Sequence, residues 1–195
     1  MKKFAVFASG SGTNFEAIER RMREENWDAE IVLVVCDKPD AKVLERAEKA
    51  GIPSFAFQPK SFDNKAAFEQ VIVEQLRLHG AEWIVLAGYM RLIGDTLLSA
   101  YRNKIINIHP SLLPAFPGID AVGQAYRAGV KVAGITVHYV DEGMDTGPII
   151  AQRAVELEKS ETLASLEEKI HKLEHELYPE VIKELLELNG RGEKE

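Results

Sequence analysis

Little in this sequence points to export, a membrane or nucleic acid. It has one cysteine, Cys36, so no internal disulfide can form, and a reducing cytoplasm is the expected compartment. Long hydrophobic runs are missing; those present, such as "IVLVV" at 31–35, are far too short to cross a bilayer. The N-terminal "MKKFAVFASGSG" opens on two lysines, but its apolar stretch stops at once at Gly and Ser. It reads as a first strand rather than a signal peptide. No basic cluster stands out, and the net charge of −7, from 24 basic and 31 acidic residues, argues against nucleic acid as a partner. Internal repeats, low-complexity tracts and linkers are absent too. What remains is a chain of 195 residues, 46% hydrophobic and 28% charged, which suits one globular domain with one core.

Short β-branched runs alternate with longer stretches of helical period. Strands are expected at 3–8, 30–37, 53–57, 82–88 and 104–109, and helices at 14–25, 41–51 and 64–80. The run "EWIVLAG" is almost continuously apolar, as a strand covered by helices on both faces should be. Two further strands, at 133–140 and 147–157, are joined by a short loop, which suits an antiparallel edge near the C-terminus. Residues 161–188 read as one amphipathic helix that Pro179 kinks or divides, and "NGRGEKE" at 189–195 as a frayed end. The fold class is therefore α/β: a single domain, 1–195, with a mostly parallel twisted sheet, Rossmann-like, and helices on both faces.

Three stretches carry chemistry. "ASGSGTN" sets Gly10 and Gly12 between the first strand and the first helix, where free N–H groups and the helix dipole favour an anion; a tight turn is the plain alternative. Thr13 and Asn14 offer side-chain donors or a helix cap. The third glycine of the dinucleotide fingerprint is missing, and Asp37 reads either as a ribose-binding acid or as a cap. "HKLEH" at 171–175 matches the helix of inverted zinc peptidases, but too little chain follows to supply a further ligand, so no metal is expected. In "INIHPSLLPAFPG", Asn107 and His109 share one face of a strand, with His109 at its carboxyl end. An amide and an imidazole so placed can hold an oxyanion and move a proton. Pro110, Pro114 and Pro117 stiffen the loop beyond, and Leu113–Pro114 is a candidate cis bond. Asp141, Glu142 and Asp145 in a later loop are each placed to orient His109; a core histidine with a capping acid is the plain alternative.

Taken together, "GSGTN", "AGYMRLI", "INIHPSLLP" and "VDEGMDTGPII" resemble, in order and spacing, the folate-dependent phosphoribosylglycinamide formyltransferases. The resemblance spans essentially the whole chain. It implies formyl transfer from 10-formyltetrahydrofolate to the amine of glycinamide ribonucleotide, in purine synthesis, by direct attack through a tetrahedral intermediate. It implies a phosphate-binding half at about 1–100 and a folate-binding and catalytic half at about 101–195. Gly12, Thr13 and Asn14 would hold the ribonucleotide phosphate and Glu174 its ribose. Met90, Arg91, Leu92 and Ile93 would line the pterin pocket, with Lys65, Asn107 and Asp141 also on the folate. His109, Asn107 and Asp145 would be catalytic, Asp145 stabilising and orienting the His109 imidazolium. The implied partners are two small molecules, with no metal, membrane or nucleic acid, in a cytoplasmic monomer or homodimer. Two departures stand out: Lys65 replaces the arginine of some relatives, and "IDAVGQ" at 119–124 lacks their histidines.

Overall fold

Seven strands lie side by side in one sheet, and their order explains where a ligand can bind. The computed structural model describes residues 1–191. In chain order it contains β1 (Lys2–Ala8), α1 (Thr13–Glu25), β2 (Ala29–Cys36), α2 (Lys42–Lys49), β3 (Ser54–Ala56), α3 (Lys65–Leu78) and β4 (Trp83–Leu86). There follow α4 (Asp95–Ala100), β5 (Ile105–His109), α5 (Ala121–Arg127), β6 (Val132–Tyr139), β7 (Ile149–Glu156) and α6 (Leu163–Arg191). The sheet order is β3-β2-β1-β4-β5-β6-β7. The first five strands pair in parallel, whereas β6 and β7 pair antiparallel and close one side. From β1 the chain winds outward to β2 and β3, then returns to β4 on the other flank. The connections that leave the carboxyl ends of β1 and β4 therefore run to opposite faces, into α1 and α4, which opens the crevice where α/β sheets take ligands.

Alternation along β1 supplies both halves of the core. Phe4, Val6 and Ala8 join a cluster with Phe15 and Ile18 of α1, Val43 of α2, and Ile170, Tyr178 and Ile182 of α6. Ala5 and Phe7 join the opposite cluster with Phe68, Ile72 and Leu76 of α3 and Leu97 of α4. This two-sided burial is what the unbroken apolar strands require. In α6 the buried positions Leu166, Ile170, Glu174, Leu177, Tyr178, Val181 and Ile182 recur at helical spacing. The fully buried Tyr178 hydroxyl donates to the Leu86 carbonyl at 2.8 Å and lies 3.2 Å from that of Ile106, tying α6 to β4 and β5.

Three local expectations need correction. Pro179 does not divide the last helix: α6 runs through it to Arg191, because a buried stripe on both sides of the proline outweighs the one hydrogen bond it removes. The expected frayed end falls in part within α6, and residues 192–195 lie outside the described residues. The short helices α4 and α5 were not expected at all. Each is under two full turns and too short to show a period.

Candidate active site

At the crevice lies a cavity of about 700 Å³. It draws on the loop after β1, the segment after β4, the end of β5, the loop between β6 and β7, and one face of α6.

The first wall is the glycine loop. Gly12 caps α1 with φ of 75°, a left-handed conformation that favours glycine, and a Cβ there would sit 2.7 Å from the Val43 side chain. The loop is held from α2: the Val43 N–H donates to the Gly10 carbonyl at 3.1 Å, and the Arg46 Nε–H to that of Ser11 at 2.8 Å. Gly10 through Asn14 thus line the cavity at the positive end of a 13-residue helix, an arrangement that attracts an anion. Beside it stands Glu174, only 6% exposed on the otherwise apolar stripe of α6. The Asn14 Nδ2–H donates to its Oε2 at 3.3 Å. Burial pushes the Glu174 carboxyl up to about 7, and the hydrogen bond from Asn14 only partly opposes it. A carboxyl with so little protein support, facing a cavity, is suited to accepting hydroxyl donors from a ligand.

The second wall carries the acid–base groups. Because β5 and β6 pair antiparallel, Asn107 lies opposite His138, and His109 opposite Thr136. Asn107 Nδ2 is 3.3 Å from His138 Nε2. The His138 Nδ1–H donates to the Tyr139 carbonyl at 2.8 Å, so Nε2 accepts from Asn107 when the ring is neutral. His109 places Nε2 2.9 Å from the Phe116 carbonyl and Nδ1 3.4 Å from Asp145 Oδ2. Both ring nitrogens thus face oxygen acceptors. Asp145 Oδ2 also accepts from the Gly118 N–H at 2.8 Å, and Oδ1 lies 3.7 Å from His138 Nε2. Burial opposes the charge of Asp145, but His138, the Gly118 N–H and the His109 charge outweigh it and hold the carboxyl below its ordinary value. Of the three acids in this loop, Asp145 is therefore the one against His109. Asp141 instead accepts from the Gly143 N–H and the Thr146 hydroxyl within its own loop, and Glu142 does not line the cavity.

The loop after β5 is anchored from behind. The buried Thr136 hydroxyl donates to the Ser111 carbonyl at 2.7 Å and accepts from the Leu113 N–H at 3.0 Å. The Leu113–Pro114 bond is cis. Met90, Arg91, Leu92 and Ile93 form a third wall, with Ile93 buried and Met90 75% exposed. Arg91 donates through Nε to Asp37 Oδ2 at 2.7 Å, so Asp37 engages a side chain of this chain. Lys65 stands outside the cavity lining, its stem against Gly94 at the start of α4. Ile119, Asp120 and Val122, from the segment where relatives were expected to carry histidines, do line it.

His171 and Glu174 line the cavity, but no group of three or more His, Cys, Asp or Glu side chains fit to hold a metal occurs among the described residues. None of their helices is long and apolar enough to cross a membrane. His138 is the group that sequence reasoning missed, since only the register of β5 on β6 brings it to Asn107. For Glu174 a residue-level signal did exist: it is an acid set into an apolar stripe of helical period.

The fold and the sequence agree with known proteins over nearly their whole length. Residues 2–182 match the family model described as formyl transferase. The chain is 76% identical, over 194 residues and the full length of both proteins, to phosphoribosylglycinamide formyltransferase of Bacillus subtilis (strain 168). It is 39% identical over 180 residues to the trifunctional purine biosynthetic protein adenosine-3 of Bos taurus, matching 92% of this chain and 18% of that one. The crystal structure of glycinamide ribonucleotide transformylase 1 from Geobacillus kaustophilus superposes with a TM-score of 0.93 at 61% identity, covering 95% of this chain and 99% of that one. This chain belongs to the formyl transferase family.

Proposed function

We propose that the chain transfers the formyl group of 10-formyltetrahydrofolate to the amine of glycinamide ribonucleotide, giving formylglycinamide ribonucleotide and tetrahydrofolate in purine synthesis. One observation carries this reading: an anion cradle at a helix N-terminus opens into the same cavity as an amide, two imidazoles and a carboxylate that touch in a chain, Asn107 to His138 to Asp145 to His109. In this assignment Gly12, Thr13 and Asn14 take the phosphate, Glu174 the ribose hydroxyls, and Met90–Ile93 the pterin. The first hundred residues chiefly bind phosphate, and the remainder carries the catalytic groups. Lys65, Asn107 and Asp141 contact the folate as well, Lys65 and Asp141 from just beyond the residues that line the cavity.

The amine nitrogen attacks the formyl carbon and forms the new C–N bond, producing a tetrahedral oxyanion. Asn107 Nδ2 and the His109 Nε2–H donate to that oxygen. As the stronger acceptor, the oxyanion takes over the hydrogen bond that Nε2 makes to the Phe116 carbonyl. Asp145, 3.4 Å from Nδ1, holds the ring in the orientation that aims Nε2 at that oxygen. Collapse breaks the bond to the folate nitrogen, which gains a proton as the attacking nitrogen loses one. Chemistry so written calls on no metal ion and no intermediate bonded to the protein, and it suits a cytoplasmic enzyme of two small substrates. The test is an assay of the purified protein with 10-formyltetrahydrofolate and glycinamide ribonucleotide, water or buffer amines as acceptors. Tetrahydrofolate release only with the ribonucleotide is expected; equal release with water would make the protein a hydrolase.

A further inference from the structure

The segment between β4 and α4 hangs from three points outside the cavity that it lines. At its start, the Ser9 N–H donates to the Gly88 carbonyl at 3.0 Å, and the Met90 N–H to the Ser9 hydroxyl at 2.9 Å. In its middle, Arg91 is held by Asp37. At its end stands Glu69, an α3 residue that no step of the transfer uses and that is only 2% exposed. Its Oε1 accepts from the Gly94 N–H at 2.7 Å and its Oε2 from the Leu97 N–H at 3.4 Å. Gly94 caps α4 without a side chain of its own, so Glu69 supplies from a neighbouring helix the acceptor that a Ser or Asp cap supplies locally. The fit is close: a Cβ on Gly94 would stand 2.8 Å from Glu69 Oε2.

A buried carboxylate costs free energy unless it is well supported, and two backbone N–H groups support this one. Loss of the acceptor would leave the first turn of α4 unsatisfied, and the chain that enters that turn is Met90–Ile93. We propose that Glu69 is a positioning residue for the formyl-donor side of the cavity, fixing residues 90–93 through its hydrogen bonds to Gly94 and Leu97. This rests on the reading that those four residues line the donor pocket.

The test compares Glu69→Ala, Glu69→Gln and Gly94→Ala with the wild-type enzyme, measuring KM for 10-formyltetrahydrofolate and for glycinamide ribonucleotide, with kcat and the melting temperature. Glu69→Ala should raise the donor KM roughly tenfold while the acceptor KM and kcat change little. Gly94→Ala should do the same by displacing the carboxylate. Glu69→Gln, which keeps an acceptor oxygen for Gly94, should recover most of the donor KM. A lower melting temperature with an unchanged donor KM, or equal shifts in both KM values, would make Glu69 a stability residue and overturn the proposal. A rise in the acceptor KM alone would overturn it together with the donor assignment of residues 90–93. The transfer reading fails separately, only if the wild-type protein transfers no formyl group. If Glu69→Ala does not fold, Glu69→Gln and Gly94→Ala decide by the same comparison.

Discussion

At the scale of single residues, the site is built from groups whose ordinary behaviour has been altered by their neighbours. If, as proposed, Asn107 and His109 each offer one donor to the same developing oxyanion, their loss should show mainly in turnover. His109→Ala and Asn107→Ala are each expected to lower kcat by about a hundredfold to a thousandfold with little change in KM. Steady-state kinetics on the folded variants check this, and near-normal kcat would return the pair to a packing role. Glu174 gives a second prediction, with a definite sign. Its carboxyl is held up at about 7 in the fold against 4.5 for an ordinary glutamate, so the native state keeps a proton that the unfolded chain releases. Stability should therefore fall as pH rises from about 4.5 to about 7, by roughly 3 kcal/mol from this group in all. Glu174→Gln stays neutral and should remove that slope, becoming more stable than the parent above pH 7. Urea unfolding at pH 5 and pH 8 measures the difference; identical pH dependence in both proteins would show that the acid titrates normally.

At the scale of elements, the junction of β1 and α1 is the most constrained. Gly12 has a left-handed backbone and lies against Val43, so Gly12→Ala strains the turn and also pushes it off α2. A loss of about 1–3 kcal/mol in stability is expected, with weaker ribonucleotide binding and little change in folate binding. Thermal denaturation and titration with each ligand test this separately. The same junction shows what a sequence can disclose. Strands and long helices were legible because period and punctuation are local: "KFAVFA" ends in glycines, and α3 ends before Gly80. The candidate pairing of Asn107 with His109 was legible for the same reason, as neighbours on one strand share a face. His138 was not, because its place beside Asn107 depends on the register of two strands separated by more than twenty residues. Nor were α4 and α5, whose six and seven residues carry no period. In α4 the cap that would mark a helix start belongs to Glu69, on another helix.

At the scale of the whole molecule, the two proposed halves share one core. Phe4, Val6 and Phe15 from the first half pack in a cluster with Ile106, Ile135 and Ile170 from the second, and β4 pairs with β5 across the division. Unfolding should therefore be a single cooperative transition. In urea, the fluorescence of Trp27 and Trp83 and the NMR signals of His109 and His138 should lose their native values at one midpoint. Separate midpoints would mean that the halves are independent domains. The contact between Asn14 and Glu174, 160 positions apart in the chain, has a further consequence. During translation the glycine loop and the strand carrying His109 leave the ribosome well before α6 has been made. Until that helix is available the core cluster that holds β1 and α1 lacks Ile170, Tyr178 and Ile182, so neither the proposed phosphate cradle nor the Glu174 carboxyl is in place. The proposed nucleotide site is thus completed late in synthesis, when the long helix emerges and Tyr178 locks it beneath the sheet.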